Sequence, residues 1–176
     1  ALNYCAYDMC IRNEDTPTLD GWLVIPNTLE SGWIDLYHVP SQQRIIESLG
    51  RQADIRSGTE RPAIVMALQI CILRDILWIV AGYEDGVLQA WTIPVSTMEP
   101  TLVWTHKSHA ESIMALSMSP TCDSVLSLGA DYNIVRTALH QEAVPHVQRI
   151  KRPGHACASV RWDERVCVLG GWDACA

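Results

Sequence analysis

The sequence lacks the signals by which several large classes of protein are identified. It contains no phenylalanine in 176 residues, an absence for which we have no physical account. It has no run of Lys or Arg, and its formal net charge is −7. Binding to the phosphate backbone of a nucleic acid is therefore disfavoured. The one short basic group, at positions 149–152, is typical of a solvated connecting strand.

Long apolar runs are also missing. The longest, residues 76–82, is far too short to cross a bilayer. The opening residues have neither the charged region nor the apolar core of a signal peptide. We therefore expect no membrane partner, and we expect an intracellular protein, nuclear or cytoplasmic.

The seven cysteines form no C-x-x-C pair, which excludes the zinc-ribbon and thioredoxin spacings. Most of them lie in apolar, strand-like runs such as 69–72 and 165–168, where a thiol packs like a small hydrophobic side chain. This use of cysteine favours a reducing compartment over secretion.

Motifs that bind nucleotides or activate a nucleophile are absent as well. The sequence has no G-x-x-x-x-G-K-[ST], no G-x-G-x-x-G and no G-x-S-x-G elbow. His106 and His109 do not stand in the H-E-x-x-H context of a metal-binding helix. We expect no cofactor, no metal, no small-molecule substrate and no enzymatic activity.

What the sequence does contain is a repeated block. Residues 81–91 predict a strand, a tight turn with an acidic residue, a second strand, and a Trp six positions after Asp85. The block returns around Asp131 and Asp173, at spacings of 46 and 42 positions. Short strands in units of about 40–45 residues are typical of WD-type propellers. We therefore predict an all-β fold, a WD40-type β-propeller.

Aligning the turns divides the chain into four units, and Tyr37 then takes the position that Trp91 has in the second unit. The chain begins without Met and its last unit stops just after a turn. We therefore expect a piece of a longer propeller, of marginal stability alone because its blade faces and edges would be exposed. The predicted blades are approximately 1–49, 63–105, 109–148 and a truncated 153–176, with 50–62 as an inserted surface loop.

Polar residues recur at fixed positions in these units. In WD repeats a His, a strand Ser or Thr, a turn Asp and a strand Trp can form a hydrogen-bond network, because a carboxylate near a sheet needs donors. No unit here has all four, and Thr137 stands where the third unit would have its Trp. The residues for which we predict this structural role are Asp85, Trp91, His109, Ser127, Asp131, His155 and Asp173.

Two alternatives to a purely structural role remain open. His109, Ser127 and Asp131 are the residue types of a nucleophilic triad, so a hydrolytic enzyme built on a propeller would lose its turnover in Ser127→Ala. Residues 162–165 read W-D-x-R, which resembles the box by which some WD proteins dock onto ubiquitin-ligase adaptors. That box normally follows the third-strand Trp, whereas here it falls at the turn between the first two strands of the fourth unit.

The closing segment, 153–161 followed by 168–173, resembles the last part of the family of ASTRA-associated protein 1, which is close to the G-protein-β-subunit-like WD proteins. Residues 1–5, 26–27 and 34–37 are similar to the family as well. The resemblance implies a seven-bladed, non-catalytic scaffold in the nuclear ASTRA assembly, which is associated with chromatin remodelling and with maturation of phosphatidylinositol-3-kinase-related kinases. There are two alternatives. One is a Gβ-like signalling subunit, which would require an N-terminal coiled coil. The other is a ubiquitin-ligase substrate adaptor.

The partners that this resemblance implies are proteins of a multi-subunit complex, and propellers bind such partners through loops at one rim. Glu84 and Trp172 each precede a turn Asp and would point toward one rim. Met114 would lie nearby, at the start of a first strand. We predict these three as partner-binding residues, with packing between blades as the alternative for Trp172.

Overall fold

The structure is a computed structural model that describes residues 7–12, 20–51, 62–131, 133–140, 146–149, 157–162 and 166–171. In these ranges no helix has the length and apolar character needed to cross a membrane. The strands are β1 (Asp8–Arg12), β2 (Asp20–Pro26), β3 (Ile34–His38), β4 (Gln43–Leu49), β5 (Val65–Leu73), β6 (Ile76–Tyr83), β7 (Val87–Pro94), β8 (Thr101–Lys107), β9 (Ile113–Met118), β10 (Ser124–Gly129), β11 (Asn133–Ala138), β12 (His146–Arg149), β13 (Cys157–Trp162) and β14 (Cys167–Gly171).

The strands form four antiparallel sheets that follow one another in chain order. The first three sheets contain β1–β4, β5–β8 and β9–β12, and the fourth contains β13 and β14. Each strand pairs with its neighbours in sequence, and the first strands β1, β5, β9 and β13 contact one another in succession. Antiparallel meanders arranged in this way around their first strands are blades of a β-propeller, as the repeat predicts.

Hydrophobic side chains fill the space between neighbouring sheets. The first core, between the first and second sheets, contains Leu36, Ile79 and Trp91. The second core, between the second and third sheets, contains Val80 and Trp104 among others. Because successive side chains of a strand point to opposite faces, Ile79 and Val80 of β6 enter different cores. This explains why β6 is apolar along nearly its whole length rather than alternating.

The first sheet has one face without a sheet packed on it among the described residues. Met9 and Ile11 of β1 are exposed, while Cys10 packs against the first core. Tyr37 is half-buried and follows Leu36, so it lies on the face turned away from the second sheet. Trp91 is likewise turned away from the sheet that follows its own, which agrees with the equivalence of Tyr37 and Trp91.

The predicted inserted loop, 50–62, falls mostly outside the described residues, which include 50–51 and 62 of it. Gly50 has a φ of +99°, a left-handed conformation that favours glycine. Gly32 lies so close to the other end of this segment that a Cβ there would be 2.6 Å from Pro62 Cβ. A Cβ at Gly50 would lie 4.0 Å from Trp33, so both ends of the segment lie beside the β2–β3 hairpin.

Candidate functional site

Three hairpins lie at the same end of their sheets, because each joins the second strand of a sheet to the third. The β2–β3 hairpin is the longest, and the N–H of Asn27 closes it by donating to the Trp33 carbonyl at 2.8 Å. We call this surface the hairpin end, and it consists of residues 27–33, 84–86 and 130–131.

Hydrogen bonds connect the hairpins to the segments that enter the neighbouring sheets. The N–H of Val65, which begins β5, donates to the Ser31 carbonyl at 2.9 Å. Ser112, just before β9, donates its hydroxyl to the Glu84 carbonyl at 2.6 Å and accepts from the N–H of Ala130 at its own carbonyl, at 2.9 Å. The hairpin end is therefore one continuous surface that crosses three sheets.

In the third sheet, His109 joins a hairpin carboxylate to a strand hydroxyl. Its Nδ1 lies 2.9 Å from Asp131 Oδ1, and its Nε2 lies 2.8 Å from Ser127 Oγ. The other oxygen of Asp131 accepts the N–H of Ala110 at 2.8 Å. The side chains of His109 and Ser127 are completely buried. The structure thus brings together three of the residues for which the repeat predicts a hydrogen-bond network.

The charge of Asp131 is stabilised by these donors. Burial raises the pKa of this carboxyl, but the hydrogen bonds from His109 and from the Ala110 N–H outweigh it, so the pKa lies below its ordinary value. The side-chain amide of Asn133 adds a donor at 3.0 Å. Asp131 is therefore anionic at neutral pH and fixes the orientation of the His109 ring.

A glycine makes room for the imidazole. A Cβ on Gly129 would lie 2.4 Å from His109 Nδ1 and 2.7 Å from Asp131 Oδ1, which is closer than carbon approaches these atoms in proteins. The absence of a side chain at position 129 is therefore a condition for the network, although the residue itself makes none of its hydrogen bonds.

The order Asp131, His109, Ser127 matches that of a hydrolytic triad, but its hydroxyl is not accessible. Ser127 Oγ is completely buried, and it lies 3.4 Å from the carbonyl of Val135 on the neighbouring strand. A catalytic nucleophile has to reach a substrate carbonyl beside donors that stabilise the oxyanion. Enclosed in this way, the three side chains can tie β10 to the segment before β9, which is a structural role.

The second sheet differs from the expectation at Asp85 and Trp91. Asp85 is exposed, and its Oδ1 accepts the N–H of Val87 at 3.0 Å within the same turn. Ala81 stands at the position of Ser127 and has no hydroxyl, while Trp91 is buried in the first core. Apolar packing therefore replaces the predicted network, because the second unit has Ala63 where the third has His109 and Ala81 where the third has Ser127.

Other predicted residues lie outside the described part of the chain, namely His155, Trp172 and Asp173, and 163–165 of the W-D-x-R sequence. β13 ends at Trp162 and β14 begins at Cys167. Trp162, the first residue of the W-D-x-R sequence, is therefore the last residue of β13.

Two of the predicted partner-binding residues are described. Glu84 is exposed at the hairpin end, and its Oε1 accepts the N–H of Ile64 at 3.1 Å. Met114 is half-buried in β9, two residues after the Ser112 that bonds to the Glu84 carbonyl. The start of β9 therefore lies beside Glu84, with part of the Met114 side chain accessible.

Leu29 is an exposed residue of the hairpin end that is not among the predicted partner-binding residues. It is 87% exposed, and the N–H groups of Leu29 and Glu30 both donate to Asn27 Oδ1 at 2.9 Å. An Asn that bonds the backbone two and three residues further on forms an Asx-type turn. The sequence signal was the Pro26-Asn27 pair followed by a single Leu.

Asp35 forms a second buried network beneath that loop. Its completely buried carboxylate accepts from Asn27 Nδ2 and the Ser48 N–H, each at 2.9 Å, and from Arg44 Nη1 at 3.3 Å. The hydrogen bond to Asp35 is also the main cause that raises the pKa of the Arg44 guanidinium. A buried charge requires partners, so an Asp inside the apolar strand β3 was the signal for this network.

Metal ligation finds no support in the described ranges, where no three His, Cys, Asp or Glu side chains are grouped so as to hold an ion. The polar groups of the first and third sheets instead bond to one another and to backbone N–H groups. The accessible feature of this end of the molecule is the loop surface that the two networks hold in place.

Comparison of the sequence with protein-family profiles finds no match. Among curated proteins, it is 30% identical to ASTRA-associated protein 1 of Verticillium alfalfae, over 98% of this chain and 43% of that protein. It is 24% identical to ASTRA-associated protein 1 of Penicillium rubens, over 99% of this chain and 47% of that protein. The chain thus spans about half the length of these curated relatives.

Solved structures with a similar fold include a chain from the crystal structure of the mitotic checkpoint complex, with a TM-score of 0.60 and 17% identity over 92% of this chain and 44% of that chain. The WD40 beta propeller domain of Doa1 aligns with a TM-score of 0.56 and 13% identity, over 88% of this chain and 44% of that one. The chain therefore has the WD40-type β-propeller fold and resembles ASTRA-associated protein 1 along almost its entire length.

Proposed function

We propose that this chain is part of a non-catalytic WD-repeat scaffold that binds partner proteins in a nuclear ASTRA-type assembly, with roles in chromatin remodelling and in the maturation of phosphatidylinositol-3-kinase-related kinases. The observation that carries the proposal is the similarity to ASTRA-associated protein 1 over 98% of the chain. The name of those relatives associates them with the ASTRA assembly, and we extend that association to this protein.

The burial of the polar network supports the absence of catalysis. Ser127, whose hydroxyl is bonded to His109, is enclosed between strands, whereas a working nucleophile must meet its substrate. The hydrogen bonds among His109, Ser127 and Asp131 give these residues a structural role, which is to hold the hairpin end in place. A hydrolase would show turnover that Ser127→Ala abolishes, and we expect none.

We place partner binding at the hairpin end. Its loops are fixed by Asn27 and by the buried Asp35 in the first sheet, and by Asp131 in the third. Loops that are ordered before binding lose less conformational entropy when a partner docks. Leu29, an apolar side chain held out into solvent on such a loop, has the character of an anchor for a hydrophobic pocket in a partner protein.

Affinity purification of the tagged, full-length protein from its native cells, followed by mass spectrometry, tests the assembly. We expect a large kinase of the phosphatidylinositol-3-kinase-related class together with its maturation factors. Recovery of a cullin adaptor would instead favour the W-D-x-R docking box at 162–165, and recovery of a G-protein γ-like subunit would favour a signalling role. Imaging of the same tagged protein checks the nuclear location.

A pair of leucine variants tests the surface. Leu29→Asp places a charge at the hairpin end, and Leu102→Asp places the same charge near the far end of β8, where the leucine is 41% exposed. We expect Leu29→Asp to reduce the recovered partners several-fold while Leu102→Asp leaves recovery unchanged. Equal recovery with both variants would place partner binding elsewhere on the protein.

A further inference from the structure

A second group of Ser, His and Asp lies in the first sheet, and this one is at the protein surface. Asp20 begins β2, His38 ends β3, and Ser41 lies in the turn that joins β3 to β4. His38 Nδ1 lies 2.8 Å from Ser41 Oγ, and His38 Nε2 lies 2.8 Å from Asp20 Oδ1. The group is at the end of the sheet opposite the hairpin end, so it is separate from the surface proposed for partner binding.

The two hydrogen bonds fix the roles of the ring nitrogens. A carboxylate only accepts hydrogen bonds, so in the neutral ring Nε2 carries the proton and donates to Asp20. Nδ1 is then unprotonated and accepts the O–H of Ser41. A hydroxyl bonded to a base that a third group orients is the arrangement by which proteins activate a serine. His38 is therefore placed to take the proton of Ser41.

Neighbouring side chains hold the base and its carboxylate in place. The centroid of the His38 ring lies 5.7 Å from that of the buried Trp22, which faces it in the β2–β3 pair. The second oxygen of Asp20 lies 3.7 Å from Arg12 Nη1. Residues of β1, β2 and β3 thus fix the orientation of the imidazole.

Access distinguishes this group from the buried network of the third sheet. Ser41 is exposed, as are its neighbours at positions 40 and 42–44, whereas Ser127 is completely buried. The side chains of His38 and Asp20 are 27% and 35% exposed. An electrophile can therefore approach Ser41 Oγ while the imidazole stays in contact with it.

The first backbone donor after Ser41 is already occupied. The N–H of Gln42 donates to the Val39 carbonyl at 3.2 Å and closes the turn. Hydrolases use such N–H groups to stabilise the oxyanion that forms when an acyl group is transferred to and from a serine. An activated donor can still react here, because its leaving group departs readily, but water does not readily remove the acyl group. We therefore expect one stable modification per chain rather than turnover.

We propose that Ser41 is an acylation site, at which an activated acyl donor such as a thioester transfers its acyl group to Ser41 Oγ. The hydroxyl oxygen attacks the carbonyl carbon while His38 Nδ1 takes the hydroxyl proton. The carbon–sulfur bond then breaks, and the leaving thiolate receives the proton from His38. One thioester is consumed for each ester and each thiol formed, so the step needs no oxidant or reductant.

Acetylation of the full-length protein by p-nitrophenyl acetate, an activated ester, tests the site. Peptide mapping by mass spectrometry compares the rate at Ser41 with that at Ser96, an exposed turn serine whose hydroxyl has no imidazole partner among the described residues. General base catalysis contributes about 10²–10⁴-fold, so we expect Ser41 to react at least about a hundredfold faster. Equal rates at the two serines would overturn the proposal, as would loss of the acetyl group from Ser41 once the probe is removed.

A pair of histidine variants tests the base. His38→Gln keeps a side chain that can bond to Ser41 but cannot take its proton, so we expect the rate at Ser41 to fall to that at Ser96. His140→Gln makes the same change at an exposed His of the third sheet and leaves the rate unchanged. An unaltered rate in His38→Gln would contradict the proposal. Where that variant does not fold, the wild-type chain in urea decides, because a preference for Ser41 that persists after unfolding cannot come from the contact with His38.

Discussion

The second and third sheets have the same strand order and the same hairpins, yet they stabilise their hairpin ends by different means. The third sheet places Ser127 and Thr137 where the second has Ala81 and Trp91. In the third sheet a hydroxyl, an imidazole and a carboxylate satisfy one another, whereas in the second an indole fills the space between two sheets. In this protein, the third sheet therefore relies on a polar network at the positions where the second relies on a buried Trp.

One position decides which of the two arrangements is possible. Gly129 leaves space for the His109 ring, and Tyr83 occupies the equivalent position in β6. Tyr83 is buried in the first core, and its hydroxyl donates to Gln89 Oε1 at 3.0 Å. Because even a Cβ at position 129 would collide with the imidazole, a sheet with Tyr at this position has no place for the His. The second sheet therefore depends on apolar packing.

The largest effect is expected from removing that packing. Trp91→Ala empties a buried aromatic site, and we expect a loss of about 3–5 kcal/mol in the free energy of unfolding. Hydrogen exchange of the amides of β6 and β7 measures the loss within this sheet. The equivalent substitution in the third sheet, Thr137→Ala, removes far less buried surface and serves as the control. Similar losses from both would show that the two sheets do not differ as we describe.

A smaller effect is expected from the hairpin carboxylates. Asp131→Asn replaces an acceptor that faces His109 and the Ala110 N–H, so we expect a loss of about 2–3 kcal/mol. Asp85→Asn changes an exposed turn residue and is expected to cost less than about 0.5 kcal/mol. Hydrogen exchange of β10 and of β6, respectively, reports the two losses, and equal costs would contradict the contrast between the two hairpins.

The Asp131 contribution also depends on pH. An Asp of the unfolded chain has a pKa of about 3.9, and the folded value lies below its ordinary range. The stabilisation by the carboxylate is therefore complete above the unfolded pKa and is lost as the pH falls through the folded pKa. Unfolding measured over a series of acidic pH values should show wild type losing its advantage over Asp131→Asn, and a constant difference would argue against it.

The smallest effect is expected at Thr137, and it has the opposite sign. Its Oγ1 is completely buried and has no hydrogen-bond partner among the described residues, and a buried unsatisfied hydroxyl costs roughly 1–3 kcal/mol. Thr137→Val replaces the hydroxyl by a methyl group of similar size, so we expect stability to increase by about 1 kcal/mol. Thermal unfolding measures the gain, with Thr137→Ser, which keeps the hydroxyl, as the matched control. A lower melting temperature for Val than for Thr would mean that the hydroxyl has a partner in solution.

Much of the fold and part of the site could be predicted from the sequence. The all-β propeller follows from the turn period, and His109, Ser127 and Asp131 follow from their positions within a repeat. The lack of a His and of a strand hydroxyl in the second unit is visible in the sequence, but the place that Trp91 takes in the first core depends on how two sheets pack. A repeat predicts which positions are equivalent, but the neighbouring side chains decide whether each position keeps its hydrogen bonds.

The sequence by itself determined the units and their strands, because apolar strands and turn residues are encoded locally and recur with a period near 45 residues. Only the tertiary structure decided which polar groups meet. Asp35 is bonded by residues from two other segments, the β2–β3 hairpin and β4, and Gln69 of β5 accepts the N–H of Met118 of β9 across two sheets. These contacts arise from the packing of distant parts of the chain, and burial then fixes them because an unpaired polar group inside the protein is costly.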